Sequence, residues 1–321
     1  MTWMVTGGAG YIGSHIVRAL QSVGVDVVVF DDLSSGFEDF IPAHVPFVHA
    51  SILDRAQVDK ALVEYRVTGI LHLAGFKYAG VSVNRPLHCY EQNVEGTRVL
   101  LEAGLEQSVD RFLFSSSAAT YGTPDVDLVT EATPTSPESP YGESKLIGEW
   151  LLADVRRANP TFRSTALRYF NVVGSGFPDL FDASPHNLFP LVIKAIDEGR
   201  TPKVFGDDYA TPDGSCVRDY VHVMDVAEAH VVAAMALDAG KPTSPVYNIG
   251  VGEGTSVLQI MAAFSRVLGR EIAYEIAPRR PGDPARIVAT SELLTSELGW
   301  VGRFSLDDMV RSAWDSRPAL N

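Results

Sequence analysis

The sequence is poor in cysteine, in positive charge and in long apolar runs. Its two cysteines, Cys89 and Cys216, fit neither a disulfide framework nor a metal site, so a reducing compartment and no metal are expected. Lys and Arg number 26 against 40 Asp and Glu, a formal charge of −14 with a pI near 5.0. That balance argues against nucleic acid or an anionic membrane surface as partner. It leaves room for a phosphate ligand, which helix N-termini and local Arg can bind. No apolar run is long enough to span a bilayer. The strand pattern at Thr2–Thr6 leaves no room for a signal peptide, so a cytoplasmic location is expected. There is no internal repeat and no low-complexity segment. With 321 residues, 46% hydrophobic and 21% charged, the chain can bury a large core, and it is long for one domain.

What is present begins with a strand, a glycine turn and a helix. Thr2–Thr6 runs into Gly7-Gly-Ala-Gly10-Tyr11-Ile12-Gly13, then an amphipathic pattern through about Val23. Glycines there permit unusual dihedrals and let a pyrophosphate approach the helix N-terminus. Val25–Phe30 is the next strand and ends at Asp31-Asp32. An acid in that position binds both ribose hydroxyls and repels a 2′-phosphate, which favours NAD over NADP. Further units follow: strands at Val45–His49 and Gly69–Leu73, and helices at Arg55–Tyr65 and Pro86–Glu106. Ala74-Gly75 would permit close approach of a cofactor, and Asn93 could brace the cofactor loops. Strands alternating with helices imply an α/β fold with a doubly wound parallel sheet, whose ligands sit at the carboxyl ends of the strands.

Arg111–Ser115 reads as a buried strand, with Ser116 and Ser117 at its end. After a Pro-rich loop, Tyr141-Gly-Glu-Ser-Lys145 opens a helix. Residues four apart share a helix face, so Tyr141 and Lys145 can point into one space. An ammonium lowers a phenol's pKa, and a serine hydroxyl can share the substrate's proton, which together make a general base. Tyr and Lys at this spacing are also common on ordinary helix faces. Gly10, Asp31, Ala74, Ser117 and Tyr141 all map to one sheet edge, and that convergence separates the two readings.

Phe162–Arg168 is another strand. Beyond it Gly, Pro and Asp become dense between Gly174 and Pro185 and from Gly206 to Gly214, as in functional loops. Pro202–Phe205, Val246–Ile249 and Ile272–Ile276 read as strands. Val226–Leu237, Val257–Leu268, Ser291–Leu298 and Ser305–Trp314 read as helices. The expected division is a dinucleotide domain over 1–172 and a smaller substrate region over 173–321, with chain crossing a blurred border. Arg218 and Arg280 are two separated cations in an acidic chain, suited to a diphosphate if they face one cleft.

These residues resemble the extended short-chain dehydrogenase/reductase family and, within it, the UDP-glucose 4-epimerases. The resemblance runs through Thr6–His15, Phe114–Gly122, Ser139–Lys145, Leu167–Asn171, Val217–Asp225 and Pro278–Asp283, nearly the whole chain. It implies a Rossmann sheet with a smaller C-terminal α/β region, NAD as cofactor, a UDP-sugar as substrate and a homodimer. It implies Tyr141 as base, Lys145 on the nicotinamide ribose and Ser117 at the sugar's 4-hydroxyl. The NAD site would comprise Gly7, Gly10, Tyr11, Ile12, Gly13, Asp31, Asp32, Leu33, Ser34, Ser35, Gly36, Ser51, Ile52, Leu73, Ala74, Gly75, Lys77, Asn93, Ser115, Tyr169 and Phe170. The UDP-sugar would meet Lys77, Asn171, Asn187, Leu188, Lys203, Val204, Phe205, Arg218, Arg280 and Asp283. The activity implied is interconversion of UDP-galactose and UDP-glucose by transient oxidation at carbon 4. Ser51 stands where the family often has an acid, and Ala119 precedes Thr120 where the family has threonine directly. Arg286 falls near the position that decides N-acetyl acceptance, which stays open, as does an epimerase of another nucleotide sugar. A dehydratase would carry an acid after Ser117, where Ala118-Ala119 stand. A dehydrogenase would release NADH, and a non-catalytic sensor could lose Tyr141 and Lys145, which are both present.

Overall fold

The computed structural model describes residues 1–280 and 283–318. Pro281 and Gly282 of the Pro278–Asp283 motif, and residues 319–321, lie outside the described residues. The chain runs β1 (Thr2–Thr6), α1 (Tyr11–Ser22), β2 (Asp26–Asp31), β3 (Phe47–His49), α2 (Arg55–Glu64), β4 (Gly69–His72), α3 (Ala79–Ser82) and α4 (Pro86–Tyr90). It continues through α5 (Gly96–Glu106), β5 (Arg111–Ser117), α6 (Pro140–Ala158), β6 (Arg163–Tyr169), β7 (Asn171–Val173), α7 (Leu188–Asp197), β8 (Lys203–Phe205), β9 (Val217–Arg218) and β10 (Tyr220–His222). It closes with α8 (Val223–Asp238), β11 (Val246–Ile249), β12 (Thr255–Ser256), α9 (Val257–Leu268), β13 (Glu275–Ala277), β14 (Arg286–Ile287), α10 (Glu292–Leu298) and α11 (Leu306–Asp315).

Seven strands form a parallel sheet in the order β11-β6-β5-β4-β1-β2-β3. The order reverses between β1 and β4, and such a switch point opens a crevice at the strands' carboxyl ends. Side chains alternate across the pleat, so each strand feeds two cores. Trp3, Val5, Val29, Leu71 and Leu113 pack on one face with α1 and α8. Met4, Val28, Phe30, Ile70 and Phe112 pack on the other, with α2 and α5. The outermost strand β11 and the covering helix α8 both come from beyond residue 172, so the sheet draws on both sides of that position. A third core around Phe189, Val204, Ile260, Phe264 and Val310 holds the C-terminal elements.

The helix predicted over Pro86–Glu106 is interrupted by a π-helical turn at Glu91–Glu95. The wider turn carries a buried Asn93. The strand predicted at Ile272–Ile276 is observed at Glu275–Ala277, where it pairs with β8. Helix α7 was not expected. Helix α6 starts where Ser139 caps it, its hydroxyl accepting from Gly142 N at 3.2 Å, with Pro140 at its first position. It presses closely on the sheet because Gly148 has no Cβ; one placed there would lie 2.5 Å from the Phe114 ring.

Candidate active site

The glycine turn and the end of β2 build one half of the site. Gly7 has φ +76, and a Cβ on Gly13 would lie 2.1 Å from the Gly7 carbonyl oxygen, so turn and helix meet backbone to backbone. The cap residue of α1 is Gly10, and among the described residues no side chain caps this helix. The first-turn N–H groups of Tyr11, Ile12 and Gly13 are thus left for an anion. Asp31 is buried and accepts from Ala9 N at 3.0 Å and Leu33 N at 2.9 Å. Desolvation raises its pKa, and the two backbone N–H groups work against that rise. Leu33 adopts φ +57, and Asp32 accepts from Ser34 N at 2.9 Å. Ser35 and Gly36 complete this loop, which Phe37 N ties back to Ala9 O at 3.0 Å.

Beyond the switch point, Ala74 N donates to Thr6 O at 3.1 Å, and Leu73, Ala74 and Gly75 continue from β4. Asn93 accepts from Phe76 N at 2.6 Å and donates to Phe76 O at 3.0 Å and Ser144 Oγ at 2.8 Å. It therefore braces the loop after β4 against α6. The Lys77 ammonium feels both the Asp31 and the Asp182 carboxylates. Ser51 accepts from Leu53 N at 3.2 Å, while Ile52 is buried in the core with its tip against Gly96. The segment after β7 crosses α1. Tyr11 donates to Gly174 O at 2.6 Å, Gly176 N donates to His15 Nε2 at 3.0 Å, and Phe181 packs edge-on to Phe40 at 5.1 Å. An uncapped helix N-terminus, a buried carboxylate at the second strand and a lysine that feels that carboxylate fit the pyrophosphate and ribose of a dinucleotide.

Tyr141, Lys145 and Ser117 form the other half. Lys145 is buried; its Nζ donates to Ser115 O at 2.8 Å and lies 5.0 Å from the Phe114 ring centre and 5.9 Å from that of Tyr141. Desolvation lowers its pKa from 10.5 to about 8. Burial raises the Tyr141 phenol, and a hydrogen bond with Ser117 pulls it the other way. The lowering by Lys145 expected from the sequence is not found: desolvation sets the direction, and the ammonium donates to the Ser115 carbonyl. Ser117 also caps the turn after β5, accepting from Ala119 N at 3.1 Å. Tyr169 is half-buried at the end of β6, while Phe170 is buried and stacks with Tyr121 at 6.5 Å.

The residues expected to meet a nucleotide-sugar gather less uniformly. Arg280 lies over the Phe205 ring at 4.1 Å, and Arg280 and Asp283 help line a cleft of about 590 Å³ with Thr123, Glu138 and Tyr209. Arg218 is not a free cation, because its guanidinium is paired with Asp283 and donates to Val217 O at 2.8 Å. Lys203 is ion-paired with Glu275 at 3.0 Å at the β8–β13 edge. Val204 alternates inward and is wholly buried in the third core, so only its backbone can meet a ligand. Asn187 donates to Asp182 at 2.7 Å, Leu188 opens α7, and Asn171 is exposed at the start of β7.

Several polar residues of this region escaped the sequence reading. Glu149 follows Lys145 by one further step of four and takes a bidentate ion pair from the buried Arg168, with Ser116 donating to it at 2.5 Å. That spacing was the available signal. His72 bridges Thr6 at 2.7 Å and Thr97 at 3.1 Å, and His230 meets Ser115; neither has a local sequence signature.

The family described as NAD dependent epimerase/dehydratase matches residues 3–250. A UDP-glucose 4-epimerase of Erwinia amylovora is 41% identical, over 98% of this chain and 97% of the relative. A crystal structure of a UDP-glucose 4-epimerase superposes with TM-score 0.94 at 41% identity, covering 98% of this chain and 97% of its own. The Bifidobacterium longum UDP-glucose 4-epimerase, solved with NAD⁺ and UDP, superposes with TM-score 0.90 at 38% identity, covering 98% of each chain. The chain belongs to the NAD dependent epimerase/dehydratase family, alongside the UDP-glucose 4-epimerases.

Proposed function

We propose that this protein interconverts UDP-galactose and UDP-glucose with NAD as a resident cofactor. The observation that carries the reading is the meeting of Tyr141, Lys145 and Ser117 with the glycine turn and Asp31 at one sheet edge. NAD, when bound, supplies a reversible hydride acceptor. Gly7, Gly10, Tyr11, Ile12 and Gly13 would hold its pyrophosphate, Asp31 its adenosine ribose, and Lys145 its nicotinamide ribose. Leu33, Ser34, Ser35, Gly36, Ser51, Leu73, Ala74, Gly75 and Lys77 line that edge, and Asn93 fixes its loop. Tyr141 takes the proton of the sugar's 4-hydroxyl, which Ser117 holds by hydrogen bond. The 4-keto sugar turns about its link to the diphosphate, and Tyr141 returns the proton after the opposite face is presented. Arg280, Phe205 and the Arg218–Asp283 pair grip UDP firmly, and few groups grip the hexose, so it can turn.

Residues 1–172 carry the dinucleotide side and 173–321 the nucleotide-sugar side. Leu87 on α4 is 81% exposed and Trp150 on α6 58% exposed, an apolar surface that fits a homodimer through these helices. The location proposed is the cytoplasm. Purified protein incubated with UDP-galactose, UDP-glucose and their N-acetyl forms should convert the first two. Absence of 4-epimer product from all four would refute the reading.

A further inference from the structure

Helix α6 begins at Pro140, and Tyr141 is its second residue. The first N–H groups of a helix find no acceptor within it. Here their partners can be traced one by one. Pro140 has no N–H, Gly142 N donates to the Ser139 hydroxyl at 3.2 Å, and Glu143 N donates to the Ser139 carbonyl at 2.9 Å. Tyr141 N remains, and its acceptor comes from another element. Ser82, wholly buried at the end of α3, takes this bond on Oγ at 3.2 Å. The direction is fixed twice. A backbone N–H only donates, and the Ser82 hydroxyl proton is already given to the Ala79 carbonyl at 2.6 Å. At the other end of the residue, Ser144 Oγ donates to the Tyr141 carbonyl at 2.7 Å, and Asn93 donates to Ser144 at 2.8 Å. The same helical turn rests on the chain just after β5, where a Cβ on Gly142 would lie 2.5 Å from the Ala119 carbonyl oxygen.

We propose that Ser82 is a positioning residue: by accepting from the Tyr141 N–H, it holds the base at the height on α6 where its phenol meets the sugar's 4-hydroxyl. The proposal rests on the reading of Tyr141 as base. Lys145, one turn further on, has its own anchor, because its Nζ donates to Ser115 O at 2.8 Å on β5. Terminal turns are the part of a helix that opens first. Without the Ser82 hydroxyl, the Tyr141 N–H is a buried donor with no acceptor, and the turn relieves it by lifting toward water while Lys145 stays in place. A displacement of about 1 Å in a reacting group can cost on the order of a hundredfold in rate. Ser82 acts through the backbone of Tyr141, so it bears on the chemical step and leaves the grip on NAD and on UDP unchanged.

The test measures kcat and KM for UDP-galactose in NAD-loaded Ser82→Ala and Ser82→Cys. Alanine removes the hydroxyl. Cysteine keeps nearly the same volume and offers a sulfur that accepts only weakly. Both variants are expected to lower kcat by roughly tenfold or more, with KM within about twofold of the parent. In both, exchange of the Tyr141 amide hydrogen, followed by NMR on tyrosine-labelled protein, should quicken. Ser82→Cys decides alone if Ser82→Ala does not fold. An unchanged kcat in either folded, NAD-loaded variant overturns the proposal, since retention by Cys alone would assign the effect to filled volume. A loss confined to KM overturns it as well, as does a fall in kcat with the Tyr141 amide still protected. Failure of the base assignment reads differently, because Tyr141→Phe would then keep turnover.

Discussion

Replacing Lys145 by Met should abolish turnover while changing how stability depends on pH. Burial lowers the ammonium's pKa from 10.5 to about 8. At 1.36 kcal/mol per unit, holding that charge inside the fold costs roughly 3 kcal/mol at neutral pH. Met keeps the apolar stem and removes the charge. It also removes the 2.8 Å bond to Ser115 O, and an unsatisfied carbonyl costs about 1–3 kcal/mol. The cofactor-free variant should then be as stable as the parent at pH 7, or more stable by up to about 2 kcal/mol. The pH profile isolates the charge. Below the folded pKa, Lys145 is protonated in both states and its cost is present in full. Between about 8 and 10.5 the folded protein releases the proton while the unfolded chain still binds it, so the parent gains stability as pH rises. The variant lacks that gain, and groups common to both proteins cancel in the difference. Urea denaturation of both proteins from neutral pH to beyond the unfolded pKa measures it. A parent-minus-variant difference that stays flat across this window would refute the reasoning.

Gly13→Ala should lose NAD retention, read by the nucleotide absorbance that copurifies, since its Cβ would sit 2.1 Å from a backbone oxygen that cannot yield. Asn93→Ala removes the brace between the loop after β4 and α6; NAD should dissociate faster, and the midpoint of urea unfolding should fall by an amount equal to about 1–3 kcal/mol. Arg168→Met leaves Glu149, whose side chain is 11% exposed, without its cation and should cost about 3 kcal/mol in urea unfolding, most of it recovered in Arg168→Met/Glu149→Met. Tyr141→Phe should stop turnover with NAD still bound. In the parent, deuterium placed at carbon 4 should stay on the sugar, and washout into solvent would contradict the proposed reaction.

The sheet was legible because its strands are short apolar runs bounded by turn residues. The expected bounds of β1, β11 and α9 match those observed. The glycine turn, Asp31, Ser117 and the Tyr141–Lys145 pair were legible because backbone geometry and helical spacing constrain them locally. Helix α7 was hidden by Pro190 in its first turn, where proline is tolerated, and by the polar approach to it. The inward turn of Asn93 depends on a π-helical turn that apolar periodicity does not encode. Val204 and Arg218 were assigned from motif position, which does not show that one alternates into a core and the other meets a carboxylate 65 residues away. The bond from Ser115 to His230 spans 115 residues and has no spacing to read. The phenol's direction of shift escaped as well, since proximity of charge is visible in sequence and the degree of desolvation is not.

The late arrival of β11 and α8 bears on how the molecule is made. A ribosome that has released the chain only through Tyr169 has delivered six of the seven strands, with β6 exposed along its open edge and the α1 face of the sheet lacking α8. Closure must wait until Val246–Ile249 leaves the exit tunnel, and until then the nascent chain presents an unpaired edge that invites aggregation. Stop codons placed before this strand should therefore yield insoluble product even when every dinucleotide-facing residue has been synthesised.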